Sequence, residues 1–171
     1  MSEPDRLTHF SASGRARMVD VSHKDETARQ AIASGIIRMR PETRARIRAG
    51  TLDKGDVLAV AGVAAVMAAK HTSALIPMCH PLCLSGLEVE FSDIDPPDAT
   101  GRVGIEAVVT ARCAGQTGVE MEALTATSAA LLTIYDMCKA IDRAMKIEHV
   151  QLEEKSGGKR GTWRRAAAAA P

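Results

Sequence analysis

Three groupings of residue types in this chain can do chemistry. The first is Cys79-His80, set in the string Ile76-Pro77-Met78-Cys79-His80-Pro81. Proline fixes its own backbone and restricts the residue before it, so this stretch should be a rigid, extended loop. A histidine held there can shuttle a proton near neutral pH. On local sequence alone the plainer reading is slightly better: a buried thiol beside a histidine bonded to backbone. A zinc reading would join Cys79, His80 and Cys83, but the spacing fits tetrahedral ligands only loosely and no Cys-x-x-Cys pair supports it. No metal site is assigned.

The second grouping is Gly115 and Gly118 leading into Glu120 and Glu122. Thr117-Gly118-Val119-Glu120 is a capping-box pattern, which by itself accounts for Glu120. The free N–H groups of a helix start there would suit an anion. Glu122 has no capping role, and two carboxylates can instead hold the amino and imino hydrogens of a guanine-like ring. The third grouping is Asp136 with Lys139, three apart on a helix and hence neighbours. A surface ion pair is the usual meaning. Tyr135, Met137, Cys138 and Ile141 around it suggest partial burial, where such a pair can transfer protons. Lys54, Lys70, Lys155 and Lys159 stand singly, each a solvated charge or a phosphate contact.

Two further patterns fail. Gly157-Gly158-Lys159-Arg160 ends like a phosphate-binding loop but lacks its first glycine and its final Ser/Thr. Arginines 38, 40, 44, 46 and 48 are spread around their segment, with few aromatics for bases to stack on. Composition agrees: the formal net charge is +1, so nothing draws the chain globally to nucleic acid. The longest apolar run, Val57 to Ala69, is too short to cross a bilayer core of about 30 Å. Glu3, Pro4, Asp5 and Arg6 occupy the place of a signal peptide's apolar segment. Four cysteines without an export signal point to free thiols and a cytoplasmic protein.

The elements that must position these residues follow from periodicity. The 171 residues suffice for one domain. Aromatics are only 2%, so the core is built from small aliphatic side chains that bury little area each, and partner subunits are expected to cover more. Residues 1–17 read as a flexible arm, 18–160 as a single catalytic domain and 161–171 as a low-complexity, Ala-rich tail. Met18 to Val21 reads as a short strand and Thr27 to Met39 as another with Gly35 as a bulge. A helix runs from Pro41 to Ala49-Gly50. A second, from about Asp56 to His71, is apolar on nearly every face and belongs at a buried or subunit surface. Leu87, Val89 and Phe91 alternate with Glu88 and Glu90, and Val103 to Val109 alternate likewise across a Pro-Pro turn, giving a hairpin. A long helix follows from the capping box to about Ala144, then a strand from about Ile147 to Leu152. This order fits an α+β, ferredoxin-like sandwich, an antiparallel sheet packed against helices.

Longer strings carry a resemblance. They are Met18-Val19-Asp20-Val21-Ser22, Lys54-Gly55-Asp56-Val57, Leu75 through Leu82, Thr117 through Thr125, Leu132 through Ala140, and Lys155-Ser156-Gly157-Gly158-Lys159. In this order, over roughly residues 7 to 160, they resemble the cyclic pyranopterin monophosphate synthase family of molybdenum cofactor biosynthesis, also called the molybdenum cofactor biosynthesis protein C family. The resemblance implies a ferredoxin-like fold assembled as a homohexamer, a trimer of dimers. It implies a lyase that converts 3′,8-cyclo-7,8-dihydro-GTP to cyclic pyranopterin monophosphate and releases diphosphate. No cofactor is required, with Mg2+ an optional companion of the triphosphate.

By motif, the resemblance makes Asp136 the acid/base residue, with Lys54 and Lys139 as companions; on its own chemistry His80 is a further proton carrier. Met78, Cys79, His80, Met121 and Glu122 match substrate-binding segments. Glu120, Lys155 and Arg29 match other active-site positions. The chain departs from the family at Met78 and Cys83 and in its Ala-rich tail. The alternatives are a small zinc-bound module or an RNA-binding α+β domain, the latter opposed by Glu88 and Glu90 on the open strand face. One geometric expectation is independent of the resemblance. Glu122 and Asp136 are fourteen residues apart, about 21 Å along a continuous helix, so one substrate touching both requires a site between subunits.

Overall fold

The computed structural model describes residue 15 and residues 18–159 and 161–166. The N-terminal arm lies outside the described residues apart from position 15, as does the tail beyond 166. Strand β1 spans Thr27–Met39, followed by helices α1 (Pro41–Arg48), α2 (Val57–Lys70) and the short α3 (Thr72–Leu75). The hairpin strands β2 (Leu84–Ile94) and β3 (Val103–Gly115) come next, then α4 (Glu120–Cys138), β4 (Lys146–Ser156) and β5 (Trp163–Arg164). The sheet order is β2-β3-β1-β4-β5, every pairing antiparallel. Its first four strands have the ferredoxin-like order, with α2 and α4 side by side on one face.

Alternation builds the two faces. Ala31, Ala33, Ile37 and Met39 of β1 and Val103, Ile105, Ala107, Val109 and Ala111 of β3 are buried beneath the helices. Gln30, Arg112 and Glu88 form a cross-strand chain on the other face, Arg112 donating to both partners. The helices meet that apolar face mainly through alanines: Ala61, Ala65 and Ala69 of α2, and Ala123, Ala126 and Ala130 of α4. Small side chains let the helices sit close, and Leu131 and Ile134 fill the space between α4 and the sheet.

Gly35 lies opposite an irregularity, but the extra residue belongs to β4 rather than to β1. Between Ser34↔Gln151 and Ile36↔Glu148, β1 has one residue and β4 has two, and β4 gains a second extra residue between Leu152 and Glu154. His149, with φ of 55°, takes the left-handed conformation at the first bulge. The glycine serves the helix instead: a Cβ at Gly35 would lie 2.7 Å from Leu131 Cδ1 and 3.1 Å from Thr127 Cγ2.

Three other boundaries differ from the sequence reading. Met18–Val21 joins no strand ladder and lies at the surface without regular secondary structure. Helix α4 ends at Cys138, six residues before Ala144, because the chain there is drawn toward α1. The buried Asp142 accepts the Arg40 backbone N–H at 2.9 Å and the Thr43 hydroxyl at 3.2 Å, capping α1 in place of Arg40. Strand β4 continues to Ser156, four residues past Leu152, and Trp163–Arg164 returns beside it within the stretch read as tail.

If Gly35 sets the approach of α4, Gly35→Ala should overpack this contact and lower stability by about 1–3 kcal/mol. Urea unfolding checks this, and a variant as stable as the wild type would contradict it.

Candidate active site

At the N-terminal end of α4, the loop after α3 turns back through a Cys79 N–H bond to the Ile76 carbonyl and brings Met78, Cys79 and His80 beside the helix. His80 Nε2 lies 2.9 Å from the Val19 carbonyl oxygen. A carbonyl only accepts, so this nitrogen carries the proton, and the histidine ties the 18–25 segment across the cleft. The backbone-bonded histidine of the plainer reading is therefore present, and it sits in a cavity as well.

No capping box forms. The N-cap is Val119, without a side-chain bond, and the first helical bond runs from Ala123 N–H to the Val119 carbonyl. The helix thus begins two residues later than the Thr117 start requires. Glu120 stands at its first position, with its carboxylate folded back so closely that a Cβ on Gly118 would meet it. Glu120, Met121 and Glu122 line a cleft of about 260 Å³ together with the cysteine–histidine loop, Val19, Val21 and Lys24.

Glu122 is 4% exposed, and burial pushes its carboxyl above the ordinary glutamate range against the opposing pull of its own backbone N–H. Repulsion from Glu120 adds to the rise. The Cys79 thiol is pushed up by burial and by Glu122, and Cys113 behind it likewise. This end of the cleft is a low-dielectric pocket that favours neutral acids.

A second cleft of about 480 Å³ shares Val19, Lys24, Thr117, Gly118 and Glu120 with the first. Its cations are Lys24, Arg29, Lys155 and Lys159, against the carboxylates of Asp25 and Glu120. Arg29 Nε donates to the Gly115 carbonyl at 2.7 Å and Lys155 Nζ to the Gly161 carbonyl at 2.9 Å. The joined clefts offer a buried carboxyl and a half-buried thiol at one side and a cationic, anion-accepting surface at the other.

The remaining sequence-derived residues gather at the opposite end of α4. Lys139 Nζ is 2.5 Å from Asp136 Oδ1, and Lys54, from the loop before α2, reaches Asp136 Oδ2 at 3.6 Å and its carbonyl at 3.1 Å. The Lys139 hydrogen bond and charge, then Lys54, hold the Asp136 carboxyl below the usual carboxylate range. The partial burial expected for this pair does not occur within one chain: Asp136 is 60% exposed at its side chain, because its neighbours Tyr135 and Met137 turn to other faces of the helix. Lys70, at the end of α2, borders neither cleft. Among the described residues no three His, Cys, Asp or Glu side chains gather as metal ligands, Cys79, His80 and Cys83 included.

The structure therefore makes two clusters from the sequence-derived set, joined by one unbroken helix. Lys24 and Asp25 border the clefts, and the sequence reading had not singled them out. The preceding Met18-Val19-Asp20-Val21-Ser22 string was the signal that this segment belongs to the site. The sequence model of the MoaC family matches residues 18–158, which include every residue of both clusters except Lys159. The chain belongs to the MoaC family. It is 58% identical over 160 residues to a cyclic pyranopterin monophosphate synthase of Thermoanaerobacter sp. (strain X514), covering 93% of this chain and 98% of that one. A protein of the same name from Desulfitobacterium hafniense (strain DSM 10664 / DCB-2) is 59% identical over 155 residues, 91% of each chain. Another, from Chloroflexus aurantiacus (strain ATCC 29366 / DSM 635 / J-10-fl), is 57% identical over 166 residues, 96% of this chain and 99% of that one. The match to the MoaC family thus spans the four ferredoxin-like strands β1–β4 and both ends of α4.

The raised carboxyl of Glu122 has a consequence for stability. The folded protein holds that proton more tightly than the unfolded chain does. Its contribution is full below the ordinary glutamate range and is lost as pH rises through the folded value. Glu122→Gln should remove this loss, so its stability relative to wild type rises from acid to neutral pH. Urea unfolding at several pH values measures the difference, and a gap that stays constant with pH would contradict it.

Proposed function

We propose that this chain is a cyclic pyranopterin monophosphate synthase, a lyase of molybdenum cofactor biosynthesis. Its substrate is then 3′,8-cyclo-7,8-dihydro-GTP and its products cyclic pyranopterin monophosphate and diphosphate. The observation that carries this reading is the near end-to-end relation to proteins of that name, 58% identical across 93% of this chain.

The site chemistry supports it. The reaction opens and rebuilds a purine-derived ring, closes a cyclic phosphate and expels diphosphate. Glu120 and the buried Glu122 suit the polar hydrogens of the base, with Met78, Cys79 and Met121 packed beside it. Arg29 and Lys155 suit the phosphates, where fixed positive charge stabilises the leaving group. Asp136, kept ionised by Lys139 and Lys54, suits a base, and His80 a proton carrier. The reading needs no resident cofactor, and magnesium, where it accompanies the triphosphate, arrives with the substrate.

The second half of the proposal is a homohexamer, a trimer of dimers, with each site between subunits. Glu122 and Asp136 face one substrate only if they come from different chains, since about 21 Å of helix separates them. An uncovered apolar surface supports such contact: Val60, Val63 and Met67 of α2 and Leu132 of α4 are 45–64% exposed. Leu132 lies one helical turn before Asp136, so a subunit seated there would bring its own cleft to the aspartate–lysine cluster. A cytoplasmic location suits four free cysteines, and no helix among the described residues is long and apolar enough to cross a membrane.

Incubation with the cyclic dihydro-GTP substrate, monitoring diphosphate, tests the assignment. The wild type should release diphosphate, and Asp136→Asn should slow it by on the order of a hundredfold or more. Equal rates would remove Asp136 from its role, and no product from the wild type would undo the assignment.

A further inference from the structure

The loop after β4 contains two glycines that the reaction chemistry leaves unexplained. Gly157 and Gly158 have φ of +93° and +72°, the left-handed region in which a side chain is strained. The space around Gly158 is unusual as well. A Cβ there would stand 2.4 Å from Arg29 Nη1, 3.1 Å from Cζ and 3.3 Å from Nη2. The guanidinium of Arg29 therefore lies against the bare backbone of Gly158. From the other direction its Nε is fixed by the Gly115 carbonyl at the end of β3. A long, flexible cation is thus held between two strand ends, facing the cleft that it shares with Lys24, Lys155 and Lys159. Backbone strain alone does not distinguish this site, because Gly101 has φ of +77° in the hairpin turn and meets nothing within 4 Å.

We propose that Gly158 is a positioning residue, whose missing side chain lets Arg29 lie flat on the loop and present its guanidinium to the phosphates of the substrate. The inference rests on the reading of the cationic cleft as the phosphate subsite. An alanine at 158 displaces the far end of a flexible side chain rather than backbone, so the fold survives while the guanidinium moves out of its place. A guanidinium held in advance loses less rotamer freedom when it binds phosphate, and that advantage goes with the glycine.

Calorimetric titration with inorganic diphosphate tests this on the intact protein. Gly158→Ala should weaken binding by on the order of tenfold, the scale of one charge-assisted hydrogen-bonding group. Gly101→Ala, with a similar backbone conformation in open space, should bind as the wild type does and show a similar melting temperature to Gly158→Ala. In an Arg29→Ala background, Gly158→Ala should add nothing. The proposal is overturned if Gly158→Ala binds like Gly101→Ala, if the two losses multiply in the double variant, or if the wild type binds no diphosphate. Wild-type turnover of the cyclic dihydro-GTP tests the synthase reading separately, so the selective loss in Gly158→Ala supports the clamp even where turnover fails.

Discussion

The close approach of α4 to β1 at Gly35 fixes the geometry on which both clusters depend. The helix is seated there by a missing side chain below it and by alanines along its buried edge. Its 19 residues run without a break, so its two ends stay about 28 Å apart. Few side chains at this contact can be adjusted, because interiors packed to this density transmit displacement rather than absorb it. A shift of α4 would carry the Glu122 end and the Asp136 end together.

The two ends hold their carboxylates in opposite electrostatic states. Glu122 is enclosed by apolar groups and thiols, so its neutral form is favoured. Asp136 is open to solvent and flanked by two ammonium groups, so its charged form is favoured. In the proposed shared site, groups whose proton affinities are driven apart in this way would be suited to opposite protonation states around one substrate. The ion pairs at Asp136 are too exposed to stabilise one chain appreciably. In the proposed assembly they would line a surface that a neighbouring subunit, seated on the apolar patch one turn away, encloses.

Much of this was legible in the residues. Strict alternation in Leu87–Phe91 and Val103–Val109 identified the hairpin, and the alanine-rich run after Asp56 identified α2 together with its uncovered face. The proline-braced loop announced His80 as a positioned group. The capping box misled because Thr117 and Glu120 satisfy the pattern while the actual cap, Val119, uses no side chain. The bulge was assigned to the wrong strand, since a glycine signals close approach as readily as an extra residue, and only the register separates them. The Met18–Ser22 string marked the segment but not Lys24 itself, whose place at the cleft follows from the distant His80 holding that segment across it. Contacts between residues far apart in the chain leave no period to read.

The central claim is that the Glu122 cleft of one subunit and the Asp136 cluster of another close around one substrate. Subunit mixing measures this directly. Glu122→Gln and Asp136→Asn proteins, each inactive alone, are unfolded together, refolded at equal ratio and assayed for diphosphate release. Sites shared between subunits would include some that inherit both intact residues, restoring up to about a quarter of the wild-type rate by random pairing. A mixture as inactive as its two parents, in an assembly shown to contain both chains, would contradict the account.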